Sequence, residues 1–571
     1  MRYLALCCDY DGTLAENSRV SSATLDALER VRASGRRIVL VTGRILEDLQ
    51  GVCNRLDLFD RVVAENGAVL YNPATREQRL LSERPPDLFV QTLRERGVQP
   101  LSLGRVIVAA WQPHETIVLQ AIHDLGLELQ VIFNKNAVMV LPTGVNKASG
   151  LTVALQELNL SQRNIVGIGD AENDHALLAA CQIGVAVANA LPLLKDAADF
   201  VTGNARGAGV VELIQELLES DLRPRESQLT RHRVLLGLGE FGEEILLRTH
   251  DLNALLVGAS GDGKSTLATG LLERLTAQKY NFCVIDPAGD YEGVEGAITL
   301  GTATQAPTLE EAQQLLKSYD TNAVVNLVGL KLEDQPAFFL ALLTSIQESR
   351  LRTGRPHWLV IGEGHRLLPT ELKSFGPPLP ARLEGVLLIT VHPNLIARSA
   401  LNEITSVLAI GKDPQTALAE FSAIAGLATP PQTPVDLQNG EALYWSISAS
   451  QPPEKIKMPA GRMKHRRHTR KYAEPKLPEE RSFYFRGPKN TLNLRAQNLI
   501  LFLQLGDGVD DATWLHHLKR GDYSRWVREA INDDELAEQI AQVEEQHSRS
   551  ANESRTDIRE LIGSRYMLPT Q

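Results

Sequence analysis

Cysteine is scarce in this chain: five residues (Cys7, Cys8, Cys53, Cys181, Cys283) among 571. None forms a C-x-x-C pair, which argues against a zinc site and against a disulfide framework. Reduced thiols in a cytoplasmic protein are the plain reading. No apolar stretch is long enough to span a bilayer, so no membrane partner is expected. The short apolar run Leu4–Cys8 leads directly into Asp9, which is not the pattern of a signal peptide. Positive charge is in the minority, with 59 Lys and Arg against 70 Asp and Glu, a net charge of -11. That balance argues against a protein coated in nucleic acid, although it leaves room for a local basic strip. Internal repeats and low-complexity tracts are also missing.

What is present is ordinary for a globular protein: 43% hydrophobic and 23% charged residues. A chain of 571 residues is too long for one core, so about two to four domains are expected. Residues 1–220 alternate short apolar strands with amphipathic helices. Ile38-Val39-Leu40-Val41 and Ile165-Val166-Gly167-Ile168 read as buried strands, each followed by a polar turn. Such a pattern predicts a parallel sheet with its site at the strand ends. Residues 72–140 read as an inserted α/β cap, with strands at 106–108, 129–132 and 137–140 and a helix at 114–125. Residues 225–450 read as a second α/β unit. Residues 451–480 read as a basic, Pro-containing linker carrying Arg462, Lys464, Arg466, Arg467, Arg470 and Lys471. Without interleaved aromatics, that strip is better read as a solvated linker than as a phosphate contact. Residues 481–571 read as mostly helical, with Trp514 and Trp526 packing a small core and Asp507, Asp510 and Asp511 opening a helix.

Two phosphate-handling patterns stand out. The first is Cys8-Asp9-Tyr10-Asp11-Gly12-Thr13, a strand ending in two carboxylates. It is followed in order by Val41-Thr42-Gly43-Arg44, by Lys147 and by Gly169-Asp170-Ala171-Glu172-Asn173-Asp174. A carboxylate attacks phosphorus only when cations neutralise the phosphoryl oxygens. Asp9 is the candidate nucleophile and Asp11 the candidate acid and base. Thr42 offers a hydroxyl and a backbone N–H to the phosphate, and Lys147 a cation. Asp170 and Asp174 are hard oxygen ligands suited to Mg²⁺. This series resembles the four motifs of the haloacid dehalogenase (HAD) phosphatases. Glu65-Asn66-Gly67-Ala68 and Pro142–Lys147 resemble the subgroup with a C2-type cap. The resemblance implies a Rossmann-like parallel sheet and Mg²⁺-dependent hydrolysis of a phosphomonoester, with Asp9 and Asp11 also at the metal. It also implies an aspartyl-phosphate and a substrate chosen largely by the cap, sugar phosphates and phosphoglycolate being family substrates.

The second pattern is Gly258-Ala259-Ser260-Gly261-Asp262-Gly263-Lys264-Ser265, between a strand at 255–257 and a helix at 266–277. It fits the P-loop G-x-x-x-x-G-K-[ST], in which backbone N–H groups and the helix N-terminus hold nucleotide phosphates. Lys264 reaches the β and γ oxygens and Ser265, with Thr266 beside it, faces Mg²⁺. Downstream lie Cys283–Tyr291, Trp358-Leu359-Val360-Ile361-Gly362-Glu363, Leu387–Pro393 and Gly440–Leu443. The series resembles the HerA/FtsK branch of P-loop ATPases. That resemblance implies a RecA-like ATPase domain, ATP and Mg²⁺ as ligands, Glu363 polarising the attacking water and His392 sensing the γ-phosphate. It further implies a homo-oligomer, as a hexameric ring, with nucleic acid as a partner. The family strand ends Asp-Glu, whereas this one ends Gly362-Glu363, so nucleotide binding is expected to survive, and two alternatives stay open for turnover: a competent motor, the favoured one, and a slow, switch-like ATPase. Three roles stay open: a bifunctional phosphatase–ATPase, a DNA-processing or defence machine, and a metabolic phosphatase regulated by nucleotide.

Overall fold

The computed structural model describes residues 1–134, 136–226, 228–247, 252–318, 320–372, 379, 383–431, 435–447, 452–459, 461, 477, 479–488, 492–531, 533–546 and 550–566. The basic strip from Arg462 to Lys471 lies outside them.

The N-terminal part is built on an eight-stranded sheet. Its strands are β1 (Ala5–Cys8), β2 (Arg37–Val41), β3 (Arg61–Ala64), β4 (Val69–Asn72), β5 (Glu77–Leu80), β10 (Ile165–Gly169), β11 (Ile183–Ala186) and β12 (Phe200–Val201). They run in the order β12-β11-β10-β1-β2-β3-β4-β5. From β12 to β3 the pairing is parallel, and the central strands are covered on both faces. Hence β1 and β10 are buried at every residue, as their unbroken apolar runs predict. In parallel strands all C-terminal ends share one edge. Asp9, Thr42 and Asp170, each the next residue after its strand, are therefore gathered there.

A four-stranded antiparallel sheet, β8-β9-β7-β6, forms the cap from β6 (Ser102–Leu103), β7 (Val108–Trp111), β8 (Leu129–Asn134) and β9 (Ala137–Pro142). Helices Asp87–Glu95 and Glu115–Asp124 cover one face through Phe89, Leu93, Val118 and Ala121. The cap starts later than residue 72. β4 and β5 are a hairpin on the edge of the main sheet; β5 is exposed throughout and pairs through its backbone, so its polar sequence hides it. The strand expected at 106–108 begins only at Val108, because the N–H groups of Val106 and Ile107 are spent on the Glu65 carboxylate at 2.8 and 3.0 Å.

The second part holds an eleven-stranded mixed sheet. Its parallel core comprises β15 (Asn253–Val257), β16 (Phe282–Asp286), β17 (Ala297–Leu300), β18 (Asn322–Asn326), β19 (Trp358–Ile361), β20 (Val386–Thr390) and β21 (Ser406–Ala409). These run β21-β15-β20-β19-β16-β18-β17. Antiparallel strands β13 (Val234–Leu238), β14 (Glu244–Leu247), β22 (Glu441–Ser446) and β23 (Glu454–Lys457) extend the β21 side. β23 falls where the sequence reads as linker. Its charged residues flank a single buried Ile456, too short an alternation to stand out.

The C-terminal region is helical, as expected, over Leu499–Gly508, Asp511–Leu518, Asp522–Trp526, Asp534–Glu544 and Ala551–Tyr566. Trp514 and Trp526 lie in its core, and Asp510 caps the second helix from its side chain. An unanticipated hairpin, β24 (Phe483–Phe485) with β25 (Leu494–Ala496), joins that core. Three-residue strands carry no readable period. Among the described residues, no helix is long and apolar enough to cross a membrane.

The two large sheets meet at the beginnings of their strands. Asn164, just before β10, bonds His357, just before β19, at 3.0 Å. The other ring nitrogen of His357 accepts the Asn281 N–H at 2.8 Å, so the ring is neutral and donates to Asn164 through Nε2. Arg355 donates to the Asn159 carbonyl at 3.1 Å, and the Tyr280 hydroxyl lies against Gln182 at 3.2 Å and the His232 carbonyl at 3.1 Å. Burial, with Arg355, Arg163 and Arg350 nearby, holds His357 well below the usual histidine value. Burial, with Arg163 and Arg231, pushes His232 down to about 4. At these two histidines the unfolded chain therefore binds more protons below about pH 6.5, and their contribution to stability is lost as pH falls from there towards about 4. Thermal unfolding should show the change in Tm over this window to be less unfavourable in His357→Gln than in the parent. Equal changes in both proteins would remove His357 from the account.

Candidate active sites

At the first site Lys147 opens the helix α1 (Lys147–Leu158), whose N-cap Asn146 accepts the N–H groups of Ala148 and Ser149 at 3.0 and 3.1 Å. That cap aims the ammonium inwards. Lys147 Nζ lies 2.6 Å from Asp9 Oδ1 and 2.5 Å from Asp174 Oδ1, with all three side chains buried. The second oxygen of Asp174 accepts the N–H groups of Asp170 and Ala171 at 2.9 and 3.0 Å, which curls the loop after β10. Oxygens of Asp9, Asp170 and Asp174 lie within 4.8 Å of one another. Burial pushes the Asp9 carboxyl up and Asp174 pushes it further, against the pull of Lys147. Burial works against the Lys147 ammonium too, but Asp174 and Asp9 outweigh it and hold its pKa above the ordinary lysine value. Three carboxylates against one ammonium leave surplus negative charge in a dry site. A hard divalent cation offsets such a surplus, and this all-oxygen donor set fits Mg²⁺.

Two of the sequence expectations change in detail. The Thr42 N–H is spent on the Val63 carbonyl at 2.8 Å, because it continues the sheet ladder, so only the hydroxyl can serve a phosphate. The Asp11 side chain is not in the oxygen cluster. Arg44 takes both its oxygens, at 2.5 and 2.6 Å, and also bonds Ser18 at 2.6 Å. Asp11 can give or take a proton at a substrate only when that pair opens. Glu65 and Arg44, unassigned from the sequence, both hold parts of the site. The fully buried Glu65 accepts three successive cap N–H groups, from Arg105 at 2.9 Å and from Val106 and Ile107. Only spatial neighbours across 33 to 42 positions reveal these roles.

The second site lies at the corresponding edge of the other sheet. Gly258–Gly263 link β15 to the helix α2 (Lys264–Ala277), with φ of 92° at both Gly261 and Gly263. A side chain at Gly258 would meet Ile410 at 2.5 Å. Lys264 Nζ donates to the carbonyls of Gly258 and Ala259 at 2.8 Å each, and Ser265 Oγ to Asp290 at 3.3 Å. Thr266 faces outward. Because β15, β20, β19 and β16 are parallel neighbours, the P-loop, His392, Glu363 and Asp286 come together along one edge. Glu363, at φ 43°, lies 3.6 Å from His365, whose ring stands edge-on to His392 at 5.4 Å. Burial pushes His365 down to about 4 despite Glu363, so the ring is neutral at pH 7. Asp286 accepts N–H bonds from Ala288, Gly289, Asp290 and Tyr291. Burial, with Asp290 nearby, raises it to about 6; it builds the turn that carries Asp290.

Comparison with known proteins bears on the first site. A family model described as haloacid dehalogenase-like hydrolase matches residues 6–109 and 114–214. Phosphoglycolate phosphatase 2 of Saccharolobus solfataricus is 32% identical over 220 residues, 37% of this chain and 91% of that protein. The phosphoglycolate phosphatase of Methanothermobacter thermautotrophicus is 30% identical over 224 residues, 38% of this chain and 98% of its own. A haloacid dehalogenase-like hydrolase of known structure from Bacteroides thetaiotaomicron is 21% identical, covering 38% of this chain and 99% of its own at a TM-score of 0.34.

Gly12 has φ 89°, and a Cβ there would stand 2.2 Å from Asp170 Oδ2. Gly12→Ala is expected to lower Mg²⁺-dependent phosphatase turnover by about 10²-fold, the cost of moving a positioned group by about 1 Å. Turnover within twofold of the parent, measured on folded protein, would mean that the Asp170 loop yields without consequence.

Proposed function

The chain belongs, through residues 6–214, to the haloacid dehalogenase-like hydrolases, and on that basis we propose that residues 1–220 form a Mg²⁺-dependent phosphomonoester hydrolase. The buried set of Asp9, Asp170 and Asp174 around Lys147 carries this reading. An oxygen of Asp9 forms a bond to phosphorus as the ester P–O bond breaks. Asp11, released from Arg44, gives its proton to the leaving oxygen. It then takes a proton from the water that attacks the phosphorus and frees Asp9. Lys147 and the Thr42 hydroxyl hold phosphoryl oxygens, and Lys147 also favours the ionised, attacking form of Asp9 against burial and the Asp174 charge. Mg²⁺ would be held by Asp9, Asp170 and Asp174 and would neutralise phosphoryl charge. The relatives' name, phosphoglycolate phosphatase, supports a small phosphorylated hydroxy acid as substrate. Asp9→Asn should abolish hydrolysis of phosphoglycolate while leaving nucleotide affinity at the P-loop unchanged. A variant that keeps most of its turnover would refute Asp9 as nucleophile.

For the second module the reading is ATP bound at Gly258–Thr266, with Ser265 at Mg²⁺, Glu363 orienting water and His392 near the γ-phosphate. Its support is the convergence of the P-loop, Glu363 and His392 on one sheet edge. A homo-oligomeric ring acting on nucleic acid is the extension implied by the HerA/FtsK resemblance. No carboxylate stands at Gly362, whose Cβ position is 3.3 Å from the Ile285 carbonyl, so hydrolysis is slow in this reading. Lys264→Ala should weaken ATP binding at least about tenfold, ~1.4 kcal/mol, and spare phosphoglycolate hydrolysis. Glu363→Gln should cut ATP turnover with little change in binding. Undiminished ATP affinity in the first, or undiminished turnover in the second, would move the nucleotide site elsewhere.

A further inference from the structure

The C-terminal region holds an open basin of about 430 Å³ that belongs to neither site. Its lining includes Arg481, Tyr484, Arg486, His516, Arg520 and Arg525. Four arginines face two carboxylates there, Asp522 and Glu529, in a chain whose net charge is -11. Arg486, Arg520 and Arg525 are exposed.

The walls of the basin are set before anything binds. His517 Nε2 accepts the Arg486 N–H at 2.9 Å, so its proton is on Nδ1, which donates to Asp522 at 2.8 Å. Asp522 also receives Arg525 at 3.1 Å and Arg520 at 3.4 Å. One carboxylate thus serves an imidazole and two guanidiniums, each guanidinium carrying about five N–H donors. Most of those donors remain for another acceptor. Arg486 lies over the Tyr484 ring at 5.1 Å, a cation–π contact that orients it without neutralising it. Arg481 is clamped: its guanidinium donates to the Ala530 carbonyl at 2.7 Å and lies 3.5 Å from the P-loop carbonyl of Ser260. Its own carbonyl accepts the Trp526 indole N–H at 2.9 Å.

Convergent planar forks with surplus donors match the tetrahedral oxygens of phosphate better than a point charge does. The volume falls within the roughly 300–1,000 Å³ of small-ligand sites, enough for more than a bare ion. We propose that this basin binds a phosphate-bearing anion, at a third site distinct from the phosphatase centre and the P-loop. Through Arg481 it touches the outer side of the P-loop.

The test is calorimetric titration, without added Mg²⁺, of the full chain carrying Asp9→Asn, which stops turnover at the phosphatase centre, and Lys264→Ala, which weakens phosphate binding at the P-loop. Inorganic pyrophosphate is one probe, a short single-stranded oligonucleotide a second, and citrate the control anion. Saturable binding of either phosphate probe is expected, weakened at least about tenfold when Arg486→Gln and Arg525→Gln are added. Both side chains are exposed, so the core is untouched. Glu529→Gln, which removes a negative charge from the rim, should tighten binding a few-fold. Pyrophosphate binding with no oligonucleotide binding would identify a small phosphorylated ligand, and the reverse a nucleic-acid backbone. The proposal fails if neither probe binds saturably, if the arginine changes leave affinity unchanged, or if citrate binds as tightly.

Discussion

A single buried ammonium holds the phosphatase centre together. Lys147 sits between Asp9 and Asp174 with almost no exposure, and neither carboxylate could lie so close to the other in a dry site without it. Removing the positive charge would leave like charges uncompensated at low dielectric, among the costliest defects a fold can carry. The rest of the site answers to that pairing. Asn146 caps α1 so that Lys147 points inward, Asp174 curls its own loop onto the N–H groups of Asp170 and Ala171, and Gly12 leaves the space that Asp170 occupies. Even so, one ammonium does not balance three carboxylates, and that surplus of negative charge suits the centre to a divalent cation.

The two large sheets are joined at the ends remote from their chemistry. β10 and β19 both start at the Asn164–His357 bond. Each runs five or four residues, a strand length of ~13–16 Å, before reaching Asp170 or Glu363. The joint is polar but satisfied, with a neutral histidine of defined tautomer donating to an asparagine. Such a contact fixes register between the two bodies more than it adds stability, because each polar group must find its one partner or lie buried without one. Each site lies at the ends of its own strands remote from the joint, which fits two separate chemistries in one chain.

Much of this architecture was legible from apolar runs. β1, β10, β15 and β20 are buried at every residue and β2 at all but Arg37, so their sequences are short, mostly apolar runs, and the residues that follow each run mark a site edge. What stayed hidden were the fully exposed hairpin strand β5, the charged strand β23 with its single buried Ile456, and β24 and β25, three residues each and too short to show a period. Nothing in a side-chain pattern betrays a strand such as β5 that has no buried face.

The sequence by itself determined which chemistries were on offer. Asp9, Lys147, Asp170, Asp174, Lys264 and Glu363 stand in local patterns, and local patterns need only strand ends, turns and helix starts to act. Tertiary structure alone decided how those groups are spent. It turned Asp11 towards Arg44, consumed the Thr42 N–H in a ladder bond, set Asp286 to building a turn, and put the Glu65 carboxylate under the cap. It also drew Arg481, Arg486, Arg520 and Arg525 around one basin from segments that no motif connects. Hydrogen bonds and charges act over a few ångströms of space regardless of separation along the chain, so the use of a donor or carboxylate is settled only when the fold brings its competitors beside it.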